Sequence, residues 1–321
     1  MTLTPPQFAE AAEHAAARIA GLARVTPLDY SPLFSERVGG DVFFKLENLQ
    51  HTGSFKLRGA ANRLMTLSDE QRANGCVAAS SGNHGAAIAY AMQKLDIGGV
   101  IFVPEHTSPT KVGAIKSYGG DVRFFGSDGL DTELHAREYA REHGMFYVSP
   151  YNDEEIIAGQ GTCGVEIARQ LPDVEAVVIA IGGGGLISGV GSVLKHHNPD
   201  IRVIGAQPAA SQVMTRSVEA GEILDLPSEP TLSDGTAGGI EPDAITFDVC
   251  RAVTDDYVVV SEEEIASSMR DYMDAEHQLI EGAAGVAIAA MLRKAQELAG
   301  KKIVVLICGA NISRATLKKA L

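Results

Sequence analysis

The sequence contains no tryptophan and only four cysteines among its 321 residues. No two cysteines form a Cys-x-x-Cys pair, so the pattern predicts neither a disulfide framework nor a zinc site and is typical of a reducing compartment. No apolar run approaches the roughly 20 residues that a membrane-spanning helix needs. Residues 1–6 lack a basic segment followed by an apolar run, so no signal peptide is visible. Together these absences predict a cytoplasmic protein.

Positive charge is also scarce. Lysine and arginine total 27 residues against 41 aspartates and glutamates, which gives a formal net charge of −14. This balance disfavours nucleic acid and anionic membranes as partners. It does not exclude a small anionic ligand, because backbone amides can bind one locally.

Apolar strand-like segments alternate with helix-like segments along most of the chain. One series of strands lies within residues 76–148, and a second extends from residue 176 to a last strand at 302–308. Residues 221–239 are the least regular stretch. Continuous apolar strands between helices are typical of parallel sheets covered on both faces. The pattern therefore predicts two α/β units, each with its own sheet.

Lys56 is the first candidate for chemistry. It lies in the segment from His51 to Ala60, flanked by Phe55 and small residues, directly after a strand-like stretch at 42–46. Such surroundings can partly desolvate an amine, lower its pKa and make it a nucleophile able to form a Schiff base. The alternative interpretation is a solvated lysine at the start of a helix.

Ser80-Ser81-Gly82-Asn83-His84-Gly85 separates a strand from a helix. Free amides at the start of a helix point outward and attract anions. The segment therefore predicts a cradle for a substrate carboxylate. An ordinary helix cap is the alternative, because serine and asparagine favour that position anyway.

Four consecutive glycines, Gly182 to Gly185, form a second loop between a strand and a helix. Such a run costs chain entropy, and close approach of the backbone to a phosphate would explain it. The next glycine comes only at Gly189, and Gln207 rather than an acidic residue ends the following strand. A lone phosphate therefore fits better than a dinucleotide. A flexible loop is the alternative.

Two later residues complete the set of candidates. Cys308 follows the last strand and could face a heteroaromatic nitrogen, or it could be a small buried hydrophobic residue. Glu281 precedes an apolar helix, as an active-site carboxylate or as a partner of the helix dipole. A reactive lysine, a phosphate loop, a carboxylate loop and a weakly polar group suit pyridoxal 5′-phosphate acting on an amino acid.

Four sequence motifs follow one another along the chain in the order in which they occur in a known enzyme family. They are Ser54-Phe55-Lys56-Leu57-Arg58-Gly59-Ala60, Ser80-Ser81-Gly82-Asn83-His84-Gly85, Ile157-Ala158-Gly159-Gln160-Gly161-Thr162 and Gly182-Gly183-Gly184-Gly185-Leu186. With these motifs the chain resembles the fold-type II pyridoxal-phosphate enzymes, specifically the serine/threonine dehydratase and serine racemase family. The resemblance runs from about Ile19 to Arg314.

The resemblance implies an α/β fold. Two open, mainly parallel-sheet domains would hold the active site in the cleft between them. The large domain would comprise residues 1–51 and 151–321, and the small domain residues 52–150. A homodimer is also implied.

Residue roles follow from the same resemblance. Lys56 would form the Schiff base and remove the α-proton, and Ser81 would lie on the opposite face of the cofactor ring. Asn83 would hydrogen-bond the ring hydroxyl, and Cys308 would face the pyridine nitrogen. The implied cofactor-binding residues are Phe55, Lys56, Asn83, Gly182, Gly183, Gly184, Gly185, Gly235, Glu281 and Cys308. The implied substrate-binding residues are Ser80, Ser81, Gly82, Asn83 and His84.

Other positions concern metals and the substrate side chain. Many relatives carry a glutamate where Gln207 stands, and some use it with a nearby aspartate to bind a divalent cation. Gln207 and Val213 are unsuited to this, so we expect no metal. Tyr118, His84 and residues 236–239 are candidates for lining the substrate pocket.

The implied function is a pyridoxal-phosphate dependent ammonia-lyase, or dehydratase. It would eliminate water from a β-hydroxy amino acid and give a 2-keto acid and ammonia. Candidate substrates are serine, threonine, 3-hydroxyaspartate, phenylserine and a larger hydroxylated amino acid from hydroxyectoine breakdown. The first alternative is an amino acid racemase such as a serine racemase. Ser81 does not decide between them, because dehydratases carry it too. A non-catalytic pyridoxal-phosphate or amino-acid binding protein and a β-replacement synthase are further alternatives.

Overall fold

The computed structural model describes residues 2–321. The strands are β1 Leu28–Tyr30, β2 Asp41–Leu46, β3 Cys76–Ala79, β4 Gly99–Val103, β5 Asp121–Phe124, β6 Phe146–Tyr147, β7 Ala176–Ala180, β8 Arg202–Pro208, β9 Asp256–Val260 and β10 Lys302–Ile307. The helices are α1 Pro5–Arg18, α2 Pro32–Val38, α3 Lys56–Met65, α4 Asp69–Asn74, α5 Asn83–Leu95, α6 Pro109–Ser117, α7 Gly129–Glu142, α8 Glu154–Gln170, α9 Gly185–His197, α10 Val213–Ala220, α11 Thr246–Val253, α12 Glu262–Glu276, α13 Gly282–Arg293, α14 Ala295–Leu298 and α15 Arg314–Ala320.

The strands form two separate sheets. One has the strand order β1-β2-β10-β7-β8-β9 and the other the order β5-β4-β3-β6. Every pairing is parallel except that of β1 with β2. The central strands β7 and β10 are buried almost throughout, which fits their continuous apolar sequences. These observations confirm the predicted α/β class with two mainly parallel sheets.

The helix that begins with Lys56 packs closely on the larger sheet's layer. Helix α3 contacts α8 extensively, and it also packs against α5 beside the smaller sheet. A Cβ at Gly159 would lie only 2.6 Å from the Cα of Gly59. Glycine at these two positions therefore lets the backbones of α3 and α8 approach, and this contact explains part of the third sequence motif.

The sequence pattern missed several elements. Strand β1 has only three residues, all at least partly exposed, and so lacks the apolar run that predicts a strand. The pattern also missed strand β9 and helix α11, which follow the irregular stretch at 221–239. That stretch contains no helix or strand, as predicted. Tertiary pairing with β2 and β8 establishes the two strands.

The two sheets draw on different parts of the chain. Strands within 76–147 form the smaller sheet, and strands within 28–46 and 176–307 form the larger one. This division agrees with domains at 52–150 and at 1–51 with 151–321, and the exact boundaries remain a prediction. Met1 lies outside the described residues. Within residues 2–321, no helix is both long and apolar enough to span a bilayer.

A buried ionic network anchors α3 to the larger sheet. Arg58 is 1% exposed and Glu47 is fully buried, and their side chains pair at 2.7 Å. Arg58 also pairs with Glu166 on α8 at 2.7 Å, and Lys45 pairs with the same carboxylate. Burial alone would raise the pKa of Glu47, but Arg58 and Lys45 lower it below its ordinary value. The network thus stays ionised in the interior.

Removing Arg58 should destabilise the fold strongly, because Glu47 would be left as a buried unpaired charge. We expect Arg58→Ala to lower the free energy of unfolding by about 3–5 kcal/mol, measured by urea denaturation. Arg216→Ala is the control, since Arg216 and Glu219 form an exposed pair at 2.8 Å. It should change stability by less than about 1 kcal/mol. Equal effects of the two variants would contradict the role of the network.

Candidate active site

One cavity of about 1730 Å³ is lined by every residue predicted for catalysis, cofactor binding and substrate-carboxylate binding. The carboxyl ends of three strands meet here, since Ser80 follows β3, Gly182 lies just beyond β7 and Cys308 follows β10. Residues 236–239 also line the cavity. Tyr118 does not, and its predicted place in the pocket is wrong: its hydroxyl donates to the carbonyl of His51 at 3.2 Å. The predicted site residues in the lining are Phe55, Lys56, Ser80, Ser81, Gly82, Asn83, His84, Gly182, Gly183, Gly184, Gly185, Gly235, Glu281 and Cys308.

A short antiparallel bridge joins the start of α3 to the end of β10. Ser54 pairs with Gly309, and the amide of Phe55 donates to the carbonyl of Cys308 at 3.0 Å. Lys56 is the next residue, and it is also the first residue of α3. The bridge therefore places the lysine beside the strand that carries Cys308.

The amine of Lys56 is held in desolvated surroundings. Its Nζ donates to the carbonyl of Pro150 at 2.8 Å and lies 5.3 Å from the centre of the Phe55 ring. Burial lowers the pKa of Lys56 to about 8, although the nearby Glu281 and Cys308 partly oppose that shift. A lysine with this pKa has a substantial neutral, nucleophilic fraction near neutral pH, so the interpretation as a solvated helix-start lysine is wrong.

The predicted carboxylate cradle lies at the start of α5. Asn83 begins the helix, and the residue before it, Gly82, provides no side-chain cap. The amide of Gly82 donates to the Ser80 hydroxyl at 3.2 Å, which tightens the turn. The first helix amides are therefore not satisfied by a capping side chain, and the residues from Gly82 to His84 line the cavity. This arrangement fits an anion site better than an ordinary cap.

His84 is a buried residue at the same helix start. Its Nε2 lies 3.0 Å from the carbonyl of Val148 and donates to it. Burial, together with the nearby Lys56 amine, lowers the pKa of His84 to about 3. The imidazole is therefore neutral at physiological pH, and it contributes hydrogen-bonding groups rather than charge.

The glycine loop is tightly packed rather than flexible. Gly184 has φ of +86°, a left-handed conformation, and a Cβ there would lie 2.6 Å from the Cys250 sulfur. A Cβ at Gly182 would lie 3.1 Å from the Cα of Thr236. The amides of Gly183, Gly184 and Gly185 donate to no acceptor within residues 2–321. Unpaired amides at the start of a 13-residue helix, α9, make an anion-binding concavity.

A carboxylate, an amide and a thiol meet on another wall of the cavity. Asn83 Nδ2 donates to the two oxygens of Glu281 at 3.0 and 2.9 Å, and the Cys308 thiol donates to Glu281 at 3.6 Å. Burial raises the pKa of Glu281, and burial together with Glu281 raises that of Cys308. Glu281 precedes α13 without capping it. Its side chain is therefore turned to the cavity, as an active-site carboxylate requires.

Three residues of the site escaped sequence reasoning. Asn311 donates to the Asn83 side-chain oxygen at 2.6 Å and to the carbonyl of Thr52 at 2.9 Å. Pro150 accepts from Lys56, and Tyr151 packs against the glycine loop. Asn311 lies three residues after Cys308, the candidate residue that follows the last strand. No local pattern marks the other two.

Gln207 is occupied by hydrogen bonds inside the protein. Its Oε1 accepts from the amide of Thr215 at 2.7 Å and from the Thr215 hydroxyl at 2.8 Å. Val213 nearby is buried and offers no ligand atom. Neither residue is available to a cation, and the absence of a bound metal stays a prediction.

Comparison with known protein families shows to which family the chain belongs. Residues 19–309 match the model of the family described as pyridoxal-phosphate dependent enzyme. The chain belongs to this family. Its cofactor is pyridoxal 5′-phosphate, and the predicted resemblance to the fold-type II serine/threonine dehydratases and serine racemases is confirmed.

Individual relatives cover most of this pyridoxal-phosphate dependent enzyme. The L-threonine ammonia-lyase of Thermotoga maritima is 41% identical over 287 residues, which are 89% of this chain and 71% of that protein. The catabolic L-threonine dehydratase TdcB of Escherichia coli K12 is 39% identical over 297 residues, 92% of this chain and 90% of that one.

Two solved structures are also similar. The processed form of threonine deaminase isoform 2 from Solanum lycopersicum has a TM-score of 0.93 and 33% identity, over 98% of this chain and 91% of that one. Maize serine racemase has a TM-score of 0.91 and 34% identity, over 97% and 95%.

The residues of the cavity fit the cofactor. The unpaired amides of Gly183 to Gly185 suit its phosphate, and the Lys56 amine suits its aldehyde. Cys308, with its raised pKa, offers a neutral thiol rather than a carboxylate to a ring nitrogen.

Gly184→Asp should weaken cofactor binding by at least about a hundredfold, because it strains a left-handed position and places a charge against the phosphate. Titration of the apoprotein, followed by absorbance, measures the dissociation constant. Gly221→Asp is a matched control: Gly221 has φ of +81° and no neighbour within 4 Å of an added Cβ. Equal affinity of the Gly184 variant and the wild type would refute the phosphate loop.

The pKa of Lys56 predicts the pH dependence of cofactor capture. Because only the neutral amine reacts, the capture rate should rise about tenfold per pH unit below pH 8 and level off above it. Stopped-flow absorbance between pH 6 and 10 would measure this. Glu281→Gln should move the midpoint to lower pH, since Glu281 raises the lysine pKa. A midpoint near 10 would contradict the desolvated lysine.

Proposed function

We propose that the protein is an L-threonine ammonia-lyase. The observation that carries this proposal is a single cavity that joins a low-pKa lysine to two anion-binding helix starts. Relatives about 40% identical over nine-tenths of the chain are L-threonine ammonia-lyases and dehydratases, and they confirm the predicted dehydratase class. Threonine thus becomes the preferred substrate among the β-hydroxy amino acids considered.

Each of the two helix starts would bind one anionic group. The start of α9 would hold the cofactor phosphate, and residues Ser80 to His84 at the start of α5 would hold the substrate carboxylate. Both use backbone amides rather than lysine or arginine side chains. No lysine or arginine lies in the first turn of either helix, so backbone amides would carry the anion binding there.

Lys56 would act as the base for the α-proton. Bound pyridoxal phosphate supplies the electron sink for the charge that this proton leaves behind. With a pKa of about 8, the Lys56 amine is poised to accept a proton and to return it near neutral pH. The protonated Lys56 would then return its proton to the β-hydroxyl, which would leave as water, and hydrolysis of the released enamine would give 2-oxobutanoate and ammonia.

Asn83, Glu281 and Cys308 would set the electrostatics around the ring. The Asn83 amide is oriented by the Glu281 carboxylate and by Asn311, so it is fixed before any ligand enters. Cys308 remains a neutral thiol because its pKa is raised. A neutral thiol stabilises a positive ring nitrogen less than a carboxylate would, which favours loss of the β-hydroxyl over transamination.

Amino acid racemisation is the second candidate. It is supported by the similarity to maize serine racemase at 34% identity and by Ser81, which lines the cavity as a candidate second acid or base. We also propose a cytoplasmic homodimer. This assembly and location rest on the resemblance and on the cysteine usage.

The deciding experiment is a substrate panel. Purified protein loaded with pyridoxal phosphate should release ammonia and 2-oxobutanoate from L-threonine faster than products from L-serine, 3-hydroxyaspartate or phenylserine. Lys56→Ala should lose both turnover and the absorbance of the bound cofactor. Chiral analysis of recovered substrate separates lyase from racemase. No ammonia from L-threonine, with cofactor bound at Lys56, would refute the proposal.

A further inference from the structure

Tyr151 occupies the space beside two of the four loop glycines. A Cβ added to Gly183 would overlap the Tyr151 ring, and one added to Gly185 would lie 3.1 Å from the Tyr151 Cβ. Tyr151 also lines the cavity. The ring therefore forms a wall of the glycine loop, and the lack of side chains at these positions makes room for it.

The far end of the Tyr151 side chain is fixed as well. Its hydroxyl accepts a hydrogen bond from the amide of Glu241 at 2.9 Å. The Glu241 carboxylate pairs with Arg137 of α7 at 2.9 Å and accepts from the Asn152 amide group at 2.9 Å. The Arg137 guanidinium lies 4.3 Å from the centre of the Tyr147 ring. Arg137 of α7 and Asn152 thus hold the Glu241 residue whose amide fixes the Tyr151 hydroxyl.

A run of four glycines stays ordered only when neighbouring side chains restrain its backbone. Glycine loses more backbone freedom on ordering than any other residue, so an unsupported loop would be ordered only when a ligand arrives. Cys250 packs against Gly184, and Thr236 packs against Gly182. On its cavity side, the Tyr151 ring restrains the same backbone whose amides remain unpaired.

We propose that Tyr151 is a positioning residue, which holds the Gly182–Gly185 loop in its anion-binding conformation before the cofactor binds. This inference rests on the proposed role of that loop as the phosphate cradle. The rigid ring acts by packing, and the Glu241 link keeps the ring in place.

The test measures cofactor affinity and loop mobility without any turnover. We expect Tyr151→Ala to weaken binding of pyridoxal phosphate to the apoprotein by about tenfold to a hundredfold, because the loop must then be ordered on binding. Tyr151→Phe keeps the ring and should stay within about threefold of the wild type. Amide hydrogen exchange of the peptide that spans residues 182–187 should be faster in apo Tyr151→Ala than in the wild type.

The matched control is Tyr90→Ala. Tyr90 is a half-buried tyrosine of α5 that stacks on His51 and does not line the cavity. It should change neither the cofactor affinity nor the exchange of the loop peptide. If Tyr151→Ala does not fold, Tyr151→Leu takes its place, with an expected loss of at least about fivefold.

Two results would overturn the proposal: unchanged cofactor affinity of the truncated variant, or loop exchange equal to that of the wild type. The phosphate-cradle assignment fails separately, if Gly184→Asp retains the cofactor. A Gly184 variant that loses the cofactor beside a Tyr151→Ala variant that keeps it would reject the role of the tyrosine alone.

Discussion

The bridge between Ser54 and Gly309 is the contact on which the active site depends. These residues lie at opposite ends of the chain, yet their pairing sets the first turn of α3 against the end of β10. It places Lys56 one residue beyond the amide that donates to the carbonyl of Cys308. The amide of Glu281 donates to the carbonyl of Gly309 at 3.0 Å, so the same short segment also positions the carboxylate. One backbone contact thereby aligns the amine, the thiol and the carboxylate.

Burial then shifts these groups in a common direction, toward their uncharged forms. It lowers the pKa of Lys56 and of His84, and it raises the pKa of Glu281 and of Cys308. Desolvation penalises whichever form is charged, so it makes bases weaker and acids weaker together. In the function proposed above, a proton would pass to and from Lys56 at modest cost, and backbone amides would bind the anionic parts of the ligands.

Arg58, two residues after Lys56, is also buried but keeps its charge. Arg58 is as deeply buried as any residue of the site, but it is surrounded by the carboxylates of Glu47 and Glu166 and keeps its charge. Pairing compensates for its desolvation, whereas within residues 2–321 no carboxylate forms an ion pair with Lys56. Along one turn of α3, the chain thus carries a charge fixed for stability and an amine left available for chemistry.

The amino-acid sequence alone predicts the α/β class, and its two loops after strands, at 80–85 and 182–185, meet in one cavity because parallel strands bring the loops at their carboxyl ends to one edge. The roles of the site residues remain predictions. The close glycine contact of α3 with α8 comes from the structure, and it accounts for part of the third motif. Tertiary contacts alone place Tyr151 against the glycine loop, bring Asn311 into contact with Asn83 and keep Tyr118 outside the cavity. They alone establish the edge strand β1, since three half-exposed residues carry no periodic signal. These features depend on contacts between residues that are distant along the chain, and the local sequence pattern does not reveal such contacts.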